Sequence, residues 1–589
     1  GAWVRVAALW VAACLLCACA PARAARRGLR QVGGGLNLGG DLGGDLPDLP
    51  LPPSPSPPRG AYQPPRPPRA PPFPGAGLGG QMPDPSMLAA LLAKKNFTSA
   101  PPGALPPPGG IPPCAPSCPR GPGGAPSGST FRQSRPTHTR DSSGRPPLYI
   151  GSGNASLPSD TSGVSYVIRL PDSVEDKAGN ISALCYELEN ATRSATDSSA
   201  SRYSGACGKR NDNQGVVAVN FTSSSDLDAF LTAAADILEY LEQEQAFTVG
   251  GSTYDNLHTW DATYGTWGLD RMETATQTLD GTWTVTGTGA DVHVYVLDTG
   301  IVTNHFELDG GGRIGSGYDF YDEDSTFEDK HGHGTHCAGI AAGSNIGVAR
   351  QATIHPLKVT DDTGSGTTTD IIEAVDYVVA NHATDFPNMP AVLSISMTGG
   401  YSYALNDALA SAIDAGYPVV VAGGNYEADA CLYSPAAAAN ETAVITVGAL
   451  GLGASDSDMA ACVAAGGGCE DSVASFSNFG ECTTLFAPGV NVISGFYFSS
   501  STDNSGSYAY SSGTSMACPY VAGLIAAYLS TNTSATPLDI KNLLLSRAVS
   551  GSITGLTGDK ASSPNLLAQM IDGGAAAAAT PAPTAAATS

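Results

Sequence analysis

Residues 292–301 read VHVYVLDTGI. Val292, Val294 and Val296 alternate with His293, Tyr295 and Leu297, an apolar run suited to a strand buried on both faces, and Asp298, Thr299 and Gly300 then open a turn. The same grammar recurs downstream. HCAGIAAG (336–343) reads as a helix, AVLSISM (391–397) as a buried strand, YALNDALASAIDAG (403–416) as an amphipathic helix, and YPVVVAGGN (417–425) and AVITVGAL (443–450) as further strands. Buried strands alternating with helices predict an α/β fold, a parallel sheet with helices on both faces. Ligands of such sheets bind beyond the carboxyl ends of the strands, which is where Asp298 arrives. Taken alone, an Asp before Thr-Gly is a turn residue.

HGHGTHCAG (331–339) holds three histidines. On a helix His333 and His336 stand three apart, a spacing that zinc uses, but the Glu of H-E-x-x-H and a second ligand cluster are missing. SSGTSMACPYVAGLIAAYLS (511–530) puts Ser515 at a helix start, where the helix dipole is positive and a serine is ordinarily an N-cap. Pro519 is expected in the first turn, whose amides need no partner.

Together the three segments give the order Asp298, His333, Ser515, which differs from the chymotrypsin and α/β-hydrolase orders. DTGI, HGTHCAG and GTSMACPYVAG resemble the signature blocks of the subtilisin-like serine proteases. HCAG with WGLDRM (267–272) is similar to the proteinase K branch. The resemblance spans roughly Thr266 to Leu545, and ILEYLEQEQAFTV (237–249) resembles the end of that family's inhibitory propeptide.

The resemblance implies a subtilisin-like parallel sheet preceded by a small α+β, ferredoxin-like prodomain, and a secreted serine endopeptidase made as an autoprocessed zymogen. In it His333 is the general base, Asp298 its orienting carboxylate, Ser515 the nucleophile and Asn425 the oxyanion donor. His336 becomes a packing residue and His331 a surface one. Substrate lies as an added strand along Ser396, Met397, Thr398 and Gly399, with Gly424 opposite; Thr398 stands where the family has Gly, a change expected to narrow a pocket. Cys431 and Cys482 resemble a proteinase K-type disulfide, Cys462 with Cys469 closes a short loop, and Cys185 with Cys207 pairs in the prodomain, leaving Cys337 and Cys518 as buried thiols. No cofactor is required. Structural calcium is left open, since Thr484 stands where relatives carry a metal-binding Asp. The competing reading is an inactive peptide-binding pseudoprotease.

Around this core the 589-residue chain is uneven: residues 1–150 carry 15 of 29 Lys+Arg and 5 of 54 Asp+Glu, leaving 14 against 49 beyond. So acidic a body repels a phosphate backbone, so nucleic acid is not an expected partner. The expected organisation is a signal peptide at 1–24, a disordered Pro/Gly-rich segment at 25–160, the prodomain at 161–251, the catalytic domain at 252–572 and a low-complexity tail at 573–589. The apolar run from Val6 to Ala20 is short for a membrane span, so no membrane contact is expected after signal removal. Seven N-glycosylation sequons and ten cysteines outside the signal suit an oxidising compartment, hence a secreted, extracellular or cell-wall protein. A monomer acting on proteins or peptides is expected, with its own prodomain as inhibitor. Acids in YDEDSTFED (321–329) read as a solvated loop.

Overall fold

The computed structural model describes residues 138–142, 144–150, 153–154, 158, 161, 163–190, 205–250, 252–257, 266–309, 312–453 and 455–570. The expected signal, most of the Pro-rich segment and the tail lie outside the described residues, as do Cys114 and Cys118.

An N-terminal unit forms from β1 (Leu148–Ile150), β2 (Ser165–Arg169), α1 (Lys177–Asn190), β3 (Gly205–Asn211), β4 (Val216–Phe221), α2 (Ser224–Ala233) and β5 (Tyr240–Gln243). From β2 onward this is a β–α–β–β–α–β chain with strands in the order β5-β2-β4-β3, the split βαβ arrangement of ferredoxin-like folds. Ile168, Leu184, Val217, Phe230 and Leu241 share its core. The ordered sheet starts earlier than residue 161: β1 pairs in parallel with β5 and on its other side with Gly153–Asn154, and Leu148 and Tyr149 are buried, so this short apolar run leaves the Pro-rich segment to join the sheet.

The larger unit contains β6 (Ala246–Val249), β7 (Ser252–Leu257), β8 (His293–Asp298), α3 (His333–Ala342), β9 (Thr353–Lys358), β10 (Ser365–Thr367), α4 (Thr368–Asp385), β11 (Ala391–Ile395), β12 (Met397–Gly400), α5 (Tyr403–Asp414), β13 (Val419–Ala422), β14 (Tyr433–Ser434), β15 (Ile445–Leu452), β16 (Leu485–Pro488), β17 (Tyr508–Ser512), α6 (Thr514–Leu529) and α7 (Pro537–Arg547). Its central strands run β9-β8-β11-β13-β15-β16, every neighbouring pair parallel. The alternation in β8 splits the core. Val294 and Val296 pack with Cys337, Met516 and Val521 of α3 and α6. Tyr295 and Leu297 pack with Ile371, Val375, Leu405 and Leu409 of α4 and α5.

The N-terminal unit caps these last two helices. Glu242 accepts hydrogen bonds from Ser402 Oγ (2.6 Å) and the Tyr403 amide (2.8 Å) at the start of α5, and Glu244 accepts from the Thr369 amide and hydroxyl at the start of α4. Carboxylates placed there answer orphan amides and the positive helix ends. β6 then carries the chain into a four-stranded sheet in the order β10-β6-β12-β14. Among the described residues no helix is long and apolar enough to cross a membrane.

A buried ion pair ties the chain's middle together: Arg271 donates from Nε and Nη2 to Asp471 Oδ1 (2.7 Å) and Oδ2 (2.6 Å), and both side chains are fully buried. Removing one partner strands the other charge. Asp471→Ala is expected to cost about 3–5 kcal/mol, read as a shifted urea midpoint; a midpoint equal to the parent's would refute this account of the pair.

Candidate active site

Asp298 ends β8 fully buried, and its Oδ1 lies 2.7 Å from Nδ1 of His333, the first residue of α3. The Thr299 amide donates to the same oxygen at 2.8 Å. Burial works against charge on His333, but the adjacent Asp298 carboxylate outweighs it and holds the imidazole well above its ordinary value.

What fixes this pairing is Asp329, which sequence reading left in a solvated acidic loop. It is fully buried, Oδ1 accepting from Thr299 Oγ1 (2.9 Å) and the His331 and Gly332 amides (both 2.8 Å), Oδ2 from the Thr335 amide (3.0 Å) and hydroxyl (2.6 Å). One carboxylate thus bolts the turn after Asp298 to the start of the helix bearing His333. Gly332 makes the entry possible: its φ is +101°, and a Cβ there would sit 2.6 Å from the Phe496 ring. In the same run Asp322, Glu323 and Asp324 are exposed, while Glu328 is half-buried and accepts from Thr303 Oγ1 at 2.9 Å.

Ser515 is the second residue of α6, and its hydroxyl donates to the Ser396 carbonyl at 3.0 Å. Pro519 lies in the second turn, not the first, and so withholds the amide that would bond the Ser515 carbonyl. That carbonyl is satisfied from outside the helix, by Ser396 Oγ (3.0 Å) and Cys337 Sγ (3.3 Å). Asn425 Oδ1 accepts from the Thr514 amide (2.8 Å) and hydroxyl (2.9 Å), which turns its Nδ2 toward the cleft. Thr514, like Ser396 and Asp329, orients a chemical group without being one, and only its place directly before Ser515 hinted at this.

The chain's own β6 fills the cleft, pairing antiparallel with β12 in the register Met397 to Val249, Thr398 to Thr248 and Gly399 to Phe247. β10 flanks it on the other side. Phe247 is fully buried, in room left by Gly399, where a Cβ would stand 2.7 Å from its ring. The Gly250 carbonyl faces His333 Nε2 at 3.2 Å. The Gly250 carbonyl only accepts, so this contact is a hydrogen bond when Nε2 carries a proton. Serine and imidazole each hold another partner here.

His336 packs under α3 with Nε2 3.1 Å from the Val492 and Ala509 carbonyls, and burial pushes it down to about 3. His331 is half-buried rather than on the surface, because it folds back toward Gly364 beside Val249. Disulfides join Cys185 to Cys207, Cys431 to Cys482 and Cys462 to Cys469, with Cα separations of 5.6, 5.2 and 5.9 Å, while Cys337 and Cys518 are buried thiols. Among the described residues, Asp298, His333 and Cys337 alone bring three ligand atoms within 4.8 Å of one another. Burial pushes the Cys337 thiol up, away from the thiolate a metal needs, and its Sγ already faces the Ser515 carbonyl. Thr484 offers calcium no carboxylate, and its hydroxyl is engaged by the Thr446 amide at 3.1 Å.

Residues 289–570 match the subtilase family. The chain is 45% identical over 280 residues to an extracellular serine proteinase of Thermus sp., covering 48% of this chain and 60% of that protein. It is 38% identical over 324 residues to a cuticle-degrading serine protease of Arthrobotrys oligospora, covering 54% of this chain and 69% of that one. A further relative, alkaline serine exoprotease A of Vibrio alginolyticus, is covered over 53% of its length, so the chain spans little more than half of some relatives. Among solved structures, fervidolysin from Fervidobacterium pennivorans is similar in fold, with a TM-score of 0.53 at 20% identity over 73% of this chain and 63% of that one. With the A. oligospora protease matched over more than two thirds of its length, the chain belongs to the subtilase family.

Proposed function

We propose that the chain is an exported serine endopeptidase, made as a precursor whose N-terminal unit occupies its own cleft. The observation that carries this is the 2.7 Å contact between Asp298 and His333 beside a serine at a helix start, with a peptide strand of the same chain seated in register across them. In the reaction Ser515 Oγ attacks the substrate carbonyl carbon and its proton passes to His333 Nε2. The oxyanion is met by Asn425 Nδ2 and the Ser515 amide. Collapse breaks the C–N bond as His333 returns the proton to the leaving amine, and water then hydrolyses the acyl-enzyme by the same relay. Asp298 keeps the Nδ1 proton in place and stabilises the imidazolium. No step calls on a metal.

One observation favours the rival, a peptide-binding protein that does not cut: Ser515 donates to Ser396 and His333 to Gly250. We read this instead as latency: while these contacts hold, the serine hydroxyl is not bonded to the imidazole. The register that sets Thr398 opposite Thr248 brings Gly250 beside Ser515, making Gly250–Gly251 the bond to be cut. A Cβ on Gly250 would stand 2.5 Å from Asn425 Nδ2, and Thr398 Cγ2 reaches within 3.1 Å of where a Gly424 Cβ would be, closing the slot between β12 and the oxyanion loop. Glycine before the scissile bond is therefore the favoured residue. The likeness to a relative named extracellular, with the apolar run at 6–20, supports action outside the cell.

A fluorophosphonate is expected to label Ser515 once the N-terminal unit is removed, and Ser515→Ala to abolish both labelling and self-release of that unit; a stripped chain that stays unlabelled returns the peptide-binding reading. Asp298→Asn should lower kcat by about 10⁴-fold. Because the base must be neutral and its pKa is raised, kcat/KM should fall with decreasing pH through a midpoint above about 6.5; a limb below 6 would contradict the role of Asp298. Thr398→Gly should raise kcat/KM for leucine before the bond, relative to glycine, by roughly 10- to 200-fold, and an unchanged ratio would release Thr398 from that role.

A further inference from the structure

Lys541 projects from α7 into the loop that precedes β15. Its Nζ lies 3.1 Å from the Ala439 carbonyl, 3.0 Å from that of Thr442 and 2.9 Å from that of Val444. An ammonium has three protons and no acceptor, so three converging carbonyls saturate it. Among the described residues no carboxylate stands within ion-pair distance of Nζ, so all the charge in this cage belongs to the lysine. Burial pulls Lys541 down to about 8, which still leaves it largely protonated at neutral pH.

Backbone carbonyls curled round one point are the ligands hard cations take. Thr484 belongs to the same neighbourhood: its amide donates to the Thr446 carbonyl at 2.8 Å, two residues past Val444. Where relatives carry a metal-binding Asp, this chain has a neutral hydroxyl turned into the strand ladder. A divalent ion with one aspartate and a lysine with one threonine leave the same net charge of about +1 behind. The residues here do not fit calcium, because the cation's place is filled by a side chain and the anion's by a threonine.

We propose that the Lys541 ammonium is the built-in cation of this carbonyl cage, standing in for a metal ion, and that removing the side chain turns the cage into a site for a small hard cation. The loop so held follows Tyr433 and Ser434, which pair with β12 in the cleft sheet, so the lysine braces one wall of the candidate active site.

The test uses the full chain carrying Ser515→Ala, so that it does not depend on whether the chain cleaves peptides, and follows thermal unfolding in chelator, in calcium and in sodium. In chelator Lys541→Ala is expected to lower Tm by roughly 2–4 °C, and calcium or sodium to raise it by more than either raises the parent. Lys541→Met, which keeps the stem and leaves no room for an ion, is expected to fall similarly without recovery. A Lys541→Ala chain that folds only when a cation is supplied also supports the proposal. It is overturned if Lys541→Ala answers both ions no more than the parent does, if no cation rescues its folding, or if Lys541→Met leaves Tm unchanged.

Discussion

Asp298 and His333 come from separate segments, and their 2.7 Å contact survives only because a second carboxylate fixes the distance between those segments. Asp329 spends both oxygens on this, one clasping Thr299 and the amides of His331 and Gly332, the other Thr335. A buried charge so fully hydrogen-bonded is rigid, because loosening any one donor strands part of it in a low dielectric. Its position at the positive end of α3 adds the helix dipole to the same purpose. The imidazole is therefore aimed before any substrate arrives.

The serine side is held by the opposite device. Asp329 supplies acceptors to amides, whereas Pro519 removes a donor and leaves the Ser515 carbonyl open to Ser396 Oγ and Cys337 Sγ. Those two side chains come from the substrate-lining segment and from α3, one turn beyond His333. The nucleophile's backbone is thus stitched to the base's helix and to the strand against which a peptide lies. Cys337 serves as a donor here, which its raised thiol pKa favours.

The sequence revealed what is written locally. A β-branched run ending in Asp-Thr-Gly, a glycine-rich start to an apolar helix, and Ser before another each carry their reason in neighbouring residues, so β8, α3 and α6 and the groups they present were legible. Ser396 and Thr514 were not legible in these roles, because what they do depends on partners 119 and 89 positions away. Lys541 is the clearest case. In PLDIKNLLLS it reads as a solvated lysine on a helix, and its carbonyl partners lie 97 to 102 residues upstream. Asp329 misled for a different reason: it closes a run of mostly exposed acids, and composition cannot tell the one that turns inward. β1 was missed because three apolar residues after a Pro-rich stretch carry too little pattern to announce a strand.

The contact between the N-terminal unit and α5 carries a proton balance of its own. The Asp298 carboxylate holds the His333 imidazole well above its ordinary value. Glu242, buried at the start of α5, is pushed up to about 7 by burial despite its hydrogen bonds to Ser402 and the Tyr403 and Ala404 amides. A free glutamate titrates near 4.3, so between these values docking takes up a proton. A group whose pKa rises on association favours association below that pKa and loses the benefit as pH climbs through it. Acid therefore tightens this contact, and rising pH weakens it.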